Sequence, residues 1–166
     1  MIGQLRERDK NWKEQLDQNG FIREQLELCD TIKSVVLDDS FNELDSIFQD
    51  LTAKKGHLFK YLSSFGHFSQ IEFIISLRDS KNDWEEDGIW HDDGSRVLAF
   101  SLSLNLDIDA KGGVLEIRKK GSQNSSKIPI FPFGEIIIFH TGQSGFEHKI
   151  NKVTSGKRLI IAGWCK

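Results

Sequence analysis

The chain has 166 residues and a formal net charge of -3. That is enough for one domain with a sizeable core, without the strong basic field that a nucleic-acid partner asks for. No apolar run approaches the ~20 residues needed to span a bilayer, and Met1 to Arg6 lacks the apolar core of a secretion signal. With two cysteines, Cys29 and Cys165, and no such signal, the expectation is reduced thiols and a cytoplasmic protein.

Residues 1–66 read as helical. The stretch 23–36 places Leu26, Cys29, Ile32 and Val36 at helical spacing. Ser40 followed by Glu43 has the form of a capping box and opens a second helix with Phe41, Leu44, Phe48 and Leu51 on one stripe. A third helical piece, 58–65, follows a break at Gly56. From Phe68 the period becomes two. Residues 68–75, 96–106, 113–118, 128–131, 135–140, 146–150 and 158–164 read as short strands. A further short strand, 89–94, runs into a turn at Gly94, making about eight. Within 96–106, Phe100, Leu102 and Leu104 alternate with Ser101, Ser103 and Asn105. Residues 119–126 read as an exposed hairpin loop. Short strands separated by glycine and proline turns predict a jelly roll or barrel. The expected class is therefore α+β: one domain in which N-terminal helices (1–66) pack on one sheet of a jelly-roll core (67–166).

The chemistry concentrates in His91-x-Asp93, His148 and Arg158. Residues two apart on a strand share a face, so His91 and Asp93 can grip one ion while Asp92 points elsewhere. With His148 they can cover one face of an octahedral iron and leave three positions open. Arg158 opens an apolar strand, where a charge needs a partner. It can hold the far carboxylate of a dicarboxylic acid bound to the metal. The same three ligands also permit a metal-binding module without catalysis, or a zinc hydrolase with an open position. Elsewhere His140 reads as a structural histidine, with lining of the pocket as the alternative; Arg78 reads as an exposed strand-end arginine, with entry into the pocket as the alternative; and Trp164 reads as core. Trp84 with Asp83, Glu85, Glu86 and Asp87 reads as a solvated loop, with a lid over 83–89 as the functional alternative.

The ordered set of His91-x-Asp93, Gly112-Gly113-Val114-Leu115, Pro132-Phe133-Gly134 with its apolar strand, His148 and Arg158 to Trp164 resembles the iron(II)/2-oxoglutarate-dependent oxygenases, particularly their small prolyl-hydroxylase-like branch. The resemblance covers roughly residues 68–164. It implies a double-stranded β-helix, with Fe(II) on His91, Asp93 and His148. It also implies 2-oxoglutarate on the metal with its distal carboxylate on Arg158, where a planar guanidinium permits a two-point contact. Oxygen is the co-reactant, and ascorbate is an expected reductant. The implied reaction hydroxylates a peptidyl proline, an amino acid or another small molecule and releases succinate and carbon dioxide. Many relatives supply a tyrosine hydroxyl as a second cosubstrate anchor. Tyr61, the one tyrosine here, falls in the helical part, so Ser101 or Ser103 is the candidate substitute, against the plainer reading of both as barrel-lining residues. The acidic stretch before His91 favours a basic or neutral substrate. Neither nucleic acid nor membrane is an expected partner, and the oligomeric state is left open.

Overall fold

The structure, a computed structural model, describes residues 11–166; the expectation for Met1 to Arg6 lies outside them. Helix α1 (Trp12–Asn19) stops at Gly20 in a left-handed conformation. There the chain passes so close to the Phe146 ring that a Cβ would collide with it. The next segment corrects the helical reading of 23–36. Strand β1 (Phe21–Gln25) pairs antiparallel with β7 (Glu135–His140), from Phe21 opposite Phe139 to Gln25 opposite Glu135. The helix begins only at α2 (Asp30–Leu37). Sheet pairing wins because it buries Ile22 and Leu26 and sets Arg23 on Glu135 at 2.5 Å. Tertiary contacts of this kind override local spacing.

Helix α3 (Phe41–Thr52) buries Leu44, Phe48 and Leu51, as the stripe predicts. Ser40 occupies its N-cap position but makes no side-chain cap bond, so the capping box does not form. Helix α4 (His57–Leu62) follows.

Five strands form the larger sheet in the order β1-β7-β3-β10-β2, with β2 (Ile71–Asp79), β3 (Leu98–Ser103) and β10 (Lys157–Cys165). A smaller sheet, β6-β5-β8, contains β5 (Leu115–Lys119), β6 (Ser126–Ile128) and β8 (Phe146–Ile150). A short ribbon joins β4 (Lys111–Gly112) to β9 (Val153–Ser155). Every pairing is antiparallel. The architecture is the expected α+β jelly roll backed by helices. Strand limits shift at special backbone positions: the strand expected from Gly113 starts at Leu115, because Gly112 and Gly113 both take positive φ. The expected strand 89–94 reduces to one bridge, His91 with His148.

Strand alternation assigns the two faces of the larger sheet. Phe100, Leu102, Ile136, Ile138, Leu159 and Ile161 meet Ile32, Leu44, Phe48 and Leu58 from the helices. Ala99, Ile137 and Phe139 turn the other way, onto Leu115, Ile117, Ile128 and Phe131 of the second layer. Every residue of β3 is therefore buried, serines included. Among the described residues, no helix is long and apolar enough to cross a membrane.

Candidate metal centre and its cavity

A single rung brings the histidines together. The His91 N–H donates to the His148 carbonyl at 3.0 Å, and the His148 N–H returns the bond to His91 at 2.9 Å. Directly opposed residues of an antiparallel pair present their side chains on one face, and the two rings stand with centroids 4.4 Å apart. Asp93 follows two residues later, where its N–H donates to Thr141 Oγ1 at 3.2 Å and the chain turns at Gly94 with φ 65. Asp93 Oδ2 then lies 3.9 Å from His148 Nε2. One ligand atom from each of His91, Asp93 and His148 lies within 4.8 Å of the others. Ligands about 2.1 Å from a common ion sit about 3 Å apart when adjacent, so a modest contraction brings all three onto one cation.

Protonation favours the same use. His91 Nδ1 stands 3.0 Å from the Ile89 carbonyl oxygen. A carbonyl only accepts, so Nδ1 carries the proton and Nε2 keeps its lone pair for a metal. Burial pushes the pKa of His148 down to about 4, against the pull of Asp93 and with a further push from His91. His148 is thus neutral at ordinary pH, and its approach to Asp93 is no ion pair. Asp93 Oδ2 is buried with no hydrogen-bond partner among the described residues, as is His148 Nδ1. A buried carboxylate oxygen without a donor is costly, and a divalent cation removes that cost. Two imidazoles and a carboxylate suit iron, manganese, cobalt, nickel or zinc. Asp92 points away as expected, with Oδ2 2.6 Å from Lys120 Nζ and Oδ1 accepting from the Gly94 N–H at 2.8 Å.

The triad opens on a cavity of about 1120 Å³. Ser76, Ser101, Ile160 and Ala162 of the larger sheet line one side, and Leu115, Phe139 and Ile150 add apolar wall. Trp84, Glu85, Glu86 and Ile89 surround the mouth. Arg158 rises from the same sheet face two residues before Ile160, but it lies beyond the open cavity and is fully buried. Both terminal nitrogens lack a hydrogen-bond partner among the described residues. Burial, helped by Arg78, pushes its pKa down to about 9. The two serines separate. Ser101 lines the cavity, whereas Ser103 donates to the Phe131 carbonyl at 2.6 Å and accepts from Asn105 Nδ2 at 2.9 Å, so its hydroxyl is already engaged.

Two expectations are corrected. Arg78 is a buried cavity residue, paired with Asp87 and set 4.6 Å from the Trp84 ring centroid. Its inward direction follows from the period of two through Ile74 and Ser76. Trp164 packs against the second hydrophobic cluster, as expected, and also lines the cavity, with Arg96 5.4 Å from its ring centroid. Segment 83–89 is tied down rather than simply solvated. Asp87 holds Arg78, Asp83 pairs with Lys152, and the Gly88 N–H donates to the Ile150 carbonyl at 2.8 Å. His140 is structural, 3.4 Å from Asp17 and stacked on Phe146.

A family model described as the 2OG-Fe(II) oxygenase superfamily matches residues 66–166. A PKHD-type hydroxylase of Prochlorococcus marinus (strain MIT 9515) is 33% identical over 94 residues, covering 57% of this chain and 40% of the relative. One from Synechococcus sp. (strain CC9902) is 31% identical over 106 residues, covering 62% and 45%. The chain thus spans less than half the length of these two curated relatives. Among solved structures, a Pseudomonas putida prolyl-4-hydroxylase superposes with a TM-score of 0.59 at 15% identity, covering 93% of this chain and 92% of that one. A Trichoplax adhaerens prolyl hydroxylase, in complex with a peptide fragment of the hypoxia inducible factor oxygen degradation domain, gives 0.56 at 16% identity, covering 93% and 86%. At these identities the structures speak for the fold.

Proposed function

This chain belongs to the 2OG-Fe(II) oxygenase superfamily, and on that premise we propose that it is a non-haem Fe(II)- and 2-oxoglutarate-dependent dioxygenase that hydroxylates a peptide or small-molecule substrate. His91, Asp93 and His148 hold the metal, Arg158 takes the distal carboxylate of 2-oxoglutarate, and Ser101 donates a further hydrogen bond from the cavity wall. When bound, iron and 2-oxoglutarate supply the oxidant that puts one atom of O2 into a substrate C–H bond, while the other leaves in succinate as CO2 is released.

The protein's own contribution is positioning and exclusion. The Ile89 carbonyl fixes the His91 tautomer. Burial keeps His148 uncharged, and Asp93 offsets part of the ion's charge. Leu115, Phe139 and Ile150 make one wall dry. The observation that carries the reading is the buried, partnerless Asp93 Oδ2 beside two histidines at the edge of a large cavity.

The acidic mouth, Glu85 and Glu86 beside Trp84, favours a basic or neutral substrate; the peptide bound by the Trichoplax adhaerens enzyme makes a peptidyl residue the first class to try. We place the protein in the cytoplasm, in keeping with free thiols at Cys29 and Cys165. It acts as one domain, with the helices of the N-terminal part backing the core, 67–166, and β1 completing its larger sheet.

The test is metal content together with succinate release from 2-oxoglutarate, using Fe(II)-loaded protein with ascorbate and a panel of peptides and amino acids. Succinate above a metal-free control supports the reading. Iron bound without any succinate under reducing conditions overturns it in favour of a non-catalytic metal module. Zinc retention with hydrolysis and no use of 2-oxoglutarate makes the chain a hydrolase.

A further inference from the structure

Arg158 has a neighbour of its own sign. In the pairing of β10 with β2 it stands directly opposite Arg78. The two side chains therefore leave the same sheet face with Cβ atoms about 5 Å apart. Both residues are buried, at 1% and 6% exposure. Like charges so placed disfavour the fold; Asp87 pairs with Arg78 and Glu86 adds a longer-range attraction to it, but among the described residues no carboxylate pairs with Arg158. Both terminal nitrogens of Arg158 and Nε of Arg78 are buried without a hydrogen-bond partner among the described residues. One buried positive charge is left over, with unspent N–H donors around it. A carboxylate carried in by a ligand answers both deficits.

Arg78 also reaches the mouth of the cavity. It holds Asp87, and its guanidinium sits 4.6 Å from the centroid of the Trp84 ring, which lines the cavity. One side chain thus stands between the buried cation and the segment at the entrance.

We propose that Arg78 is a charged anchor for the distal carboxylate of the dicarboxylic cosubstrate, shared with Arg158, and that its bond to Asp87 couples the seating of that carboxylate to the placement of Trp84 at the cavity mouth. The assignment rests on the reading of the site given above. It supplies charge, which the neutral hydroxyl of Ser101 cannot. It also gives Asp87 a definite sign of effect: as an anion near an anion site, Asp87 lowers cosubstrate affinity while it holds Arg78 and segment 83–89 in register.

The test loads the full chain with Mn(II), which supports binding without turnover, and titrates two acids by calorimetry. One is 2-oxoglutarate. The other is 2-oxobutyrate, which keeps the metal-binding end and lacks the far carboxylate. Arg78→Met is combined with Asp87→Asn so that no carboxylate is stranded. Loss of a charge-assisted contact weakens 2-oxoglutarate by about 10- to 100-fold and leaves 2-oxobutyrate unchanged. Asp87→Asn alone leaves 2-oxoglutarate as tight or tighter. In the wild type 2-oxoglutarate reduces acrylamide quenching of Trp84, read as the difference from Trp84→Phe, and in Asp87→Asn it does not.

If the double variant does not fold, Arg78→Lys decides: the ratio of the two affinities falls when Arg78 is an anchor and stays put when it is not. Equal weakening of both acids, or no weakening, overturns the anchor. Quenching that ignores the ligand in the wild type overturns the coupling. A wild-type protein that binds Mn(II) and neither acid overturns the cosubstrate reading itself, and the assignment falls with it.

Discussion

Replacing Arg158 with methionine should make the ligand-free protein more stable. The guanidinium is fully buried with both terminal nitrogens unpartnered. Burial, with Arg78 opposite, pushes its pKa down to about 9. At about 1.36 kcal/mol per pH unit, a lowering of this kind means the charge costs the fold on the order of a few kcal/mol. Below pH 9 the folded protein keeps the cation and bears the whole cost. Above pH 9 the folded form gives up a proton that the unfolded chain retains up to the ordinary guanidinium range, so the cost declines as pH rises. Near neutral pH the penalty is therefore present in full. Methionine keeps an unbranched stem in the same space and removes the charge, at some loss of packing. Exchanging buried ions for apolar groups of similar size typically gains about 1–4 kcal/mol. At about 2–4 °C per kcal/mol for a chain of this size, that raises the melting temperature by about 2–16 °C. Scanning calorimetry of metal-free wild type and Arg158→Met measures it. The wild type should gain stability from 2-oxoglutarate with Mn(II), and the variant should not. A lower melting temperature for Arg158→Met would refute the reasoning, because it would mean that the fold itself compensates the cation.

Asp93→Ala should abolish metal binding while unfolding stays cooperative, since it removes the buried anionic donor and leaves only a small void. Asp92→Ala, which loses an exposed ion pair with Lys120 worth at most about 1 kcal/mol, should bind metal normally; metal content after gel filtration distinguishes them, and the reverse outcome would exchange the roles of the two residues. Burial pushes the Cys165 thiol up to about 12, so the native protein should react with a thiol reagent at Cys29 and expose Cys165 only on unfolding. Fast labelling of both under native conditions would contradict the packing of β10 against the helices.

The triad was legible because its logic is local at each end: a His-x-Asp spacing, and a histidine in a short alternating run. The register that sets His91 opposite His148 was not, since nothing near either residue encodes a bridge across 57 positions of chain. The strand at Phe21–Gln25 was hidden for the opposite reason. Leu26, Cys29, Ile32 and Val36 do carry helical spacing, and part of that run is helix α2. What decides the rest is the free edge of β7, which lies more than a hundred residues away. Arg78 was misplaced because a strand pattern fixes which residues share a face but not how far the sandwich closes over them. Ser103 shares the face of Ser101, but its hydroxyl donates to the Phe131 carbonyl, a long-range partner that strand alternation does not encode.

The three candidate ligands do not belong to one layer. His148 and the residue bridged to it are part of the smaller sheet, whereas Asp93 is pinned through Thr141 to the end of β7 in the larger one. An ion gripped by all three is a clasp across the open rim of the sandwich, and the gap between the sheets becomes a function of loading. Empty and charged protein should then differ in mechanical stiffness at that rim, with amide exchange along β8 slowing as the clasp closes. Assembly of the catalyst and consolidation of its container are, in that geometry, the same event.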